Sequence, residues 1–139
     1  MAQFYMDVFD CRPVPPERDQ SGAWLDKGLN LPNAHLQGVH LRLPGHGPHG
    51  PTLEIYSYDE VLPSETGAPH RRGYGHLAFE VDDVAAIYDR LLAHGGQRWG
   101  SVSERAIPGL GTITFVYAKD PDGNLIELQH WTLDKGTEG

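Results

Sequence analysis

The 139-residue sequence predicts an α+β fold made of two βαβββ modules, the first of them without its opening strand. Three observations carry that prediction. An alternating strand pattern runs into a capped helical pattern in the second half, a tight-turn motif separates the last two strand patterns, and the helical pattern recurs near the start of the chain. A hydrophobic share of 39% with 22% charged residues fits a folded protein and not a disordered or fibrous one.

The second module is read over residues 75–131. Residues 75–81 (GHLAFEV) alternate around Leu77, Phe79 and Val81, which sets His76, Ala78 and Glu80 on the opposite face of a strand. Asp82 and Asp83 supply N-cap chemistry. Val84, Ile87, Tyr88, Leu91 and Leu92 then recur at helical spacing until His94, Gly95 and Gly96 end the helix. Strands are expected at 97–101, 112–118 and 124–131. Asp120, Pro121, Asp122 and Gly123 form a tight turn between the last two, because proline presets φ and glycine accepts a positive φ.

The first module, residues 1–60, reads as a worn copy. Phe4, Tyr5, Val8 and Phe9 reproduce Ile87, Tyr88, Leu91 and Leu92 at an offset of 83 positions. A Pro-rich connection at Pro13, Pro15 and Pro16 follows, then a weak strand at 23–26 and better ones at 36–43 and 52–58. Residues 44–51 (PGHGPHGP) form a turn. Residues 61–74 read as a linker and 132–139 as a tail. By the same offset the counterpart of His76 would fall about seven to eight residues ahead of Met1. The sequence as given starts inside a helix, which leaves a sheet edge unpaired in expectation.

A formal charge of −8 argues against a nucleic-acid partner, which requires a cationic face. No apolar stretch approaches membrane-spanning length and no basic segment leads into an apolar run, so neither a membrane span nor a signal peptide is expected. The expected location is cytoplasmic. Cys11 is alone, which excludes an internal disulfide and a zinc-finger pattern. Eight histidines in an acidic chain point to metal or acid-base chemistry.

Three ligand-type residues stand in or at the start of strand patterns: Glu54 between Leu53 and Ile55, His76 opening 75–81, and Glu127 between Ile126 and Leu128. Alternation turns each away from the face that the helices cover. Taken singly, such residues are commonly solvent-facing. Taken together, two carboxylates and an imidazole make a mixed O/N donor set for a divalent transition metal such as Zn, Ni, Mn, Co or Fe. Tyr56, Tyr58, Gln129 and Trp131 share the parity of the glutamates and are candidates to contact substrate. Arg42 is a candidate for an anionic substrate group, and His40 turns toward the same side as Arg42.

The run from Gly75 to Asp83, the Gly95-Gly96 helix end, and Asp120-Pro121-Asp122-Gly123-Asn124 leading into Ile126-Glu127-Leu128 resemble the vicinal oxygen chelate superfamily. That superfamily includes glyoxalase I, methylmalonyl-CoA epimerase, extradiol dioxygenases, and the fosfomycin and bleomycin resistance proteins. Leu53-Glu54-Ile55-Tyr56 and Phe4-Tyr5 extend the resemblance to the first half. It implies paired modules forming a cupped mixed sheet around a metal, completed in a homodimer, with ligands from the first and last strands of each module. Glu54, His76 and Glu127 match three of those four positions. The fourth, a first-strand His, has no counterpart, and His40 is the one candidate to replace it.

The resemblance implies a metal-dependent lyase or isomerase acting on a small oxygenated substrate. Glu127 is then the first choice for the proton-carrying base, Glu54 the second, and His76 a pure ligand. Extradiol dioxygenases of this superfamily hold iron with two His and one carboxylate, so Glu54 favours proton transfer. The alternatives are a dioxygenase-like enzyme and a metal-free drug- or metabolite-binding protein of the bleomycin-resistance type. Substrate identity is not written in any motif, since loops set specificity on such folds.

Overall fold

The computed structural model describes residues 1–65 and 67–135, and the chain divides into two units, Met1–Glu65 and Thr66–Gly139. Residue 66 of the expected linker and residues 136–139 of the expected tail lie outside the described residues.

In the first unit, helix α1 (Ala2–Phe9) buries Phe4, Tyr5, Val8 and Phe9, one apolar stripe at helical spacing. Asp10 ends it with a left-handed φ of 57°. Strands β1 (Arg12–Ser21), β2 (His35–Arg42) and β3 (Thr52–Tyr58) form an antiparallel sheet in the order β1-β2-β3. Helix α2 (Ala23–Leu29) connects β1 to β2.

Two expectations for this unit are corrected. The Pro-rich stretch is not a connection but part of β1. Proline cannot donate to a ladder and is tolerated on an edge strand or at a bulge. Both conditions hold, because β1 is an edge and its register with β2 breaks between Val14 and Arg18, around Pro15 and Pro16. Residues 23–26 are not a strand but the first turn of α2. That helix is seven residues long and buries only Leu25, too little for a 3.6-residue period to show in the sequence. It is anchored at its end, where the Asp26 carboxylate accepts from the backbone N–H groups of Asn33 (3.0 Å) and Ala34 (2.9 Å).

The second unit runs β4 (Leu77–Glu80), α3 (Val84–Ala93), β5 (Gln97–Arg98), β6 (Ser103–Ile107), β7 (Gly111–Lys119) and β8 (Leu125–Leu133). The sheet order is β4-β8-β7-β5, with β6 also paired to β7. β4 lies parallel to β8 and the other pairs are antiparallel, a mixed sheet as expected of the α+β class. The Asp83 side chain caps α3 by accepting from the Ala86 N–H at 3.0 Å. Leu91 of α3, Val116 and Ala118 of β7, and Ile126 and Leu128 of β8 are all at most 1% exposed and form the core beneath the helix. Of the four helix positions matched by the offset, Tyr5 and Tyr88 and likewise Val8 and Leu91 are buried in both helices, whereas Ile87 and Leu92 are half-buried where Phe4 and Phe9 are buried.

The strand expected at 97–101 is corrected to the two-residue β5, and β6 is a strand that the pattern did not show. All but one of the β6 residues are exposed, so nothing apolar marks it. The opening strand starts at Leu77. Phe79 and Val81 are half-buried as expected, whereas Leu77 is 53% exposed. The turn at 120–123 forms around Asp120, whose carboxylate accepts from the N–H groups of Asp122 (3.0 Å) and Asn124 (2.9 Å) and from the Asn124 amide (2.9 Å).

Candidate functional site

Along β8 the side chains alternate between core and open face. Ile126 and Leu128 are buried, and Glu127 between them turns to the face away from α3 with its side chain 13% exposed. The parallel register sets Ala78 opposite Glu127. His76, two residues before Ala78, therefore reaches the same face, and its Nε2 lies 3.0 Å from Glu127 Oε2. A carboxylate only accepts, so the Nε2 proton points to Glu127. Tyr117 pairs with Glu127 across β7 and β8, and its hydroxyl lies 3.2 Å from the same His76 nitrogen. Burial, and next the charge of Glu127, raise the Tyr117 phenol above its ordinary range, so it stays protonated at neutral pH. Gln129 and Trp131 continue this face, where the Trp131 indole N–H donates to Gln129 Oε1 at 3.0 Å.

In the first unit, His40 pairs with Glu54 across β2 and β3, and His40 Nε2 stands 3.7 Å from Glu54 Oε1. That distance is too long for a hydrogen bond. His40 Nε2 is instead hydrogen-bonded to the Tyr56 hydroxyl, and its Nδ1 lies 3.4 Å from Arg18 Nη2. Gly38 makes this packing possible, since a Cβ there would fall 2.5 Å from Tyr56 Cδ1. Tyr56 and Tyr58 pack on a buried cluster of Leu25, Ala34 and Leu36, by which α2 closes one end of the face. The Arg42 guanidinium donates to the Gly50 carbonyl in the β2–β3 turn.

The structure thus brings His76 and Glu127 together, while Glu54 belongs to the first unit beside His40. Within either unit, no group of three or more His, Cys, Asp or Glu side chains stands at metal-holding distances among the described residues. Sequence reasoning missed two residues of these clusters, Tyr117 and Arg18. A four-residue turn at 120–123 would set 117 opposite 126, and Asn124, as a fifth loop residue, shifts the pair to Tyr117–Glu127. Arg18 lies beyond the register break of β1. Neither carried a signal in the sequence.

The chain matches the model of the Glyoxalase/Bleomycin resistance protein/Dioxygenase superfamily over residues 1–128. It is 41% identical over 68 residues to a probable lactoylglutathione lyase of Vibrio parahaemolyticus, a match covering 48% of this chain and 46% of that protein. It is 28% identical over 101 residues to an ethylmalonyl-CoA/methylmalonyl-CoA epimerase of Cereibacter sphaeroides, covering 73% of this chain and 65% of that one. The chain therefore spans about half the length of the curated lyase it matches. A glyoxalase family protein of Bacillus cereus has a similar fold, with a TM-score of 0.75 over 93% of this chain and 83% of that one at 18% identity.

Proposed function

The chain belongs to the Glyoxalase/Bleomycin resistance protein/Dioxygenase superfamily, and from that premise we propose that it is a metal-dependent lyase or isomerase that moves a proton on a small oxygenated substrate. The observation that carries the proposal is the His76–Glu127 pair, 3.0 Å apart on the sheet face opposite the α3 core. Relatives named as a lactoylglutathione lyase and as an epimerase support the lyase or isomerase branch. The proposed ligands are Glu54, His76 and Glu127, whose carboxylate and imidazole donors suit Zn, Ni, Mn, Co or Fe. The proposed assembly is a homodimer.

When bound, the ion supplies positive charge that polarises a substrate oxygen and makes the neighbouring C–H acidic. Glu127 is the proposed base. Its carboxylate lies beside His76, and its low exposure limits competition from water. Glu54, with its side chain 58% exposed, is the second candidate. The Tyr117 hydroxyl, protonated at neutral pH, is placed to donate to a substrate oxygen. Gln129 is steadied for the same purpose by Trp131. Tyr56 and Arg42 complete the proposed substrate contacts.

The test is metal uptake by the chelator-stripped protein. One bound ion per chain is expected, with Glu127→Gln and Glu54→Gln each weakening binding by at least about tenfold. Full metal-dependent turnover by Glu127→Gln would remove that residue from the base role. A parent protein that takes up none of the five metals would support a second reading, a metal-free binding protein. Phe115, Tyr117 and Trp131, aromatic side chains on the face of Glu127, favour that reading.

A further inference from the structure

The second sheet ends in an open edge. β4 is the last strand of the order β4-β8-β7-β5, and no strand of the described residues pairs with its other side. The Val81 N–H donates to the Gln129 carbonyl at 2.9 Å. Successive residues of a strand turn their backbone groups to opposite edges, so Phe79 also faces β8, while the N–H and C=O of Ala78 and Glu80 point to the open side. Such a row of unpaired groups is a template for another strand, and folded proteins commonly blunt it with proline, charge or a bulge. β1, an edge of the first sheet, carries Pro13, Pro15 and Pro16 and a register break. Residues 76–80 (HLAFE) carry no proline, and β4 pairs with β8 without a break. Leu77 is 53% exposed and Ala78 is exposed beside it.

The side chains of this edge are complementary to themselves. On either side of Ala78 stands an apolar residue, Leu77 or Phe79, and then a polar one, His76 or Glu80. An antiparallel copy centred on Ala78 sets Leu77 against Phe79 on one face and His76 against Glu80 on the other, with the two alanines on the twofold axis. No carboxylate then faces a carboxylate, and an imidazole faces an acid. Residues with outward backbone groups also meet one another in this register, which a shift by one residue would prevent. Centring on Phe79 instead would carry the pairing to Asp82, past the end of β4 and next to the Asp83 cap of α3. A twofold contact requires a self-complementary surface, and this segment is one, so its occupant is a second copy of the chain.

We propose that β4 pairs with β4 of a second copy in antiparallel register about Ala78, which joins the second sheets of both copies and brings Glu80 of the second copy beside His76. The proposal rests on the homodimer of the reading above, to which it gives an interface, and needs neither the metal nor the proton transfer.

The test uses the metal-free full chain in sedimentation equilibrium, with cysteine cross-linking to read the register. The parent is expected to dimerise with a dissociation constant on the order of a micromolar. Ala78→Pro removes an N–H that β8 does not use, the place where an edge strand tolerates proline, and should raise that constant at least about tenfold. If Ala78→Pro does not fold, Leu77→Lys, at an exposed position, takes its place with the same expectation. Leu110→Ser, at a 50% exposed leucine outside the edge, should dimerise as the parent does. Under mild oxidation Ala78→Cys should give a disulfide-linked dimer, because residues in a hydrogen-bonded antiparallel pair stand about 5.5 Å apart at Cα, within disulfide reach. Glu80→Cys would face His76 and should not cross-link, and Cys11 is buried in both variants' parent. A dimer left intact by the folded edge variant, or cross-linking of Glu80→Cys as readily as Ala78→Cys, overturns the proposal and leaves a homodimer through another surface. A monomeric parent overturns both the interface and the homodimer, while metal uptake decides the rest of the reading.

Discussion

Glu54 and Glu127 pair with different partners, and the difference lies in which side chain faces each of them. Glu127 faces Tyr117 and is held by His76 at 3.0 Å, whereas Glu54 faces His40 at 3.7 Å and is largely exposed. Tyr117→Phe removes a hydroxyl that touches His76 but leaves the His76–Glu127 bond. It should therefore cost about 0.5–1.5 kcal/mol in a urea unfolding curve and leave the fold unchanged. The ligand-type residues were legible because each interrupts an apolar alternation, and parity alone gave their face. Their partners were less legible for a geometric reason. The turn expected at 120–123 would pair 117 with 126, and the fifth loop residue, Asn124, shifts the β7–β8 register by one to give the Tyr117–Glu127 pair. The eight-residue turn at 44–51 leaves the β2–β3 register open, so His40 opposite Glu54 had to be seen.

At the scale of elements, two polar clusters hold strands in register. Asp120 is 1% exposed and its carboxylate gathers three N–H donors of the β7–β8 turn. Asp120→Ala leaves those donors without their acceptor and should destabilise the protein by about 3 kcal/mol or more, measured by chemical denaturation. On the first sheet, His35 of β2 is bonded at Nε2 to Asp19 of β1 (2.7 Å) and at Nδ1 to Asp59, just past β3 (2.9 Å). Asp19 first, then Asp59, raise the His35 pKa. Hydrogen bonds from His35 and then Gln37 lower that of Asp19. The histidine's contribution is fully present below its unfolded value and is lost as pH rises through the raised folded one. The carboxylate's contribution is present above its unfolded value and is lost as pH falls through the lowered one. The clasp is strongest between those limits, about pH 4 to 6.5. His35→Gln should lower the urea midpoint most in that window and less at alkaline pH. The elements that escaped the sequence reading, α2 and β6, are those with one buried residue or none, so no hydrophobic period could announce them.

For the molecule as a whole, the charge of −8 remains the argument against a nucleic-acid partner, and no helix among the described residues is long and apolar enough to cross a membrane. Cys11, 3% exposed, is a probe of global opening. Burial first, and then the neighbouring Asp10, push its thiol up to about 11, so it is protonated and unreactive in the folded state. A disulfide exchange reagent should label it slowly in buffer and at once in denaturant, and the buffer rate should rise in step with any loss of stability. The parallel pairing of β4 with β8 has a kinetic meaning as well. β7 and β8 are joined by a local hairpin, but His76 and Glu127 stand 51 positions apart along the chain. Closing so long a loop has an entropic cost that the hairpin avoids. The hairpin is therefore expected to form before the junction of histidine and glutamate, so that the His76–Glu127 pair is completed only after most of the second sheet exists.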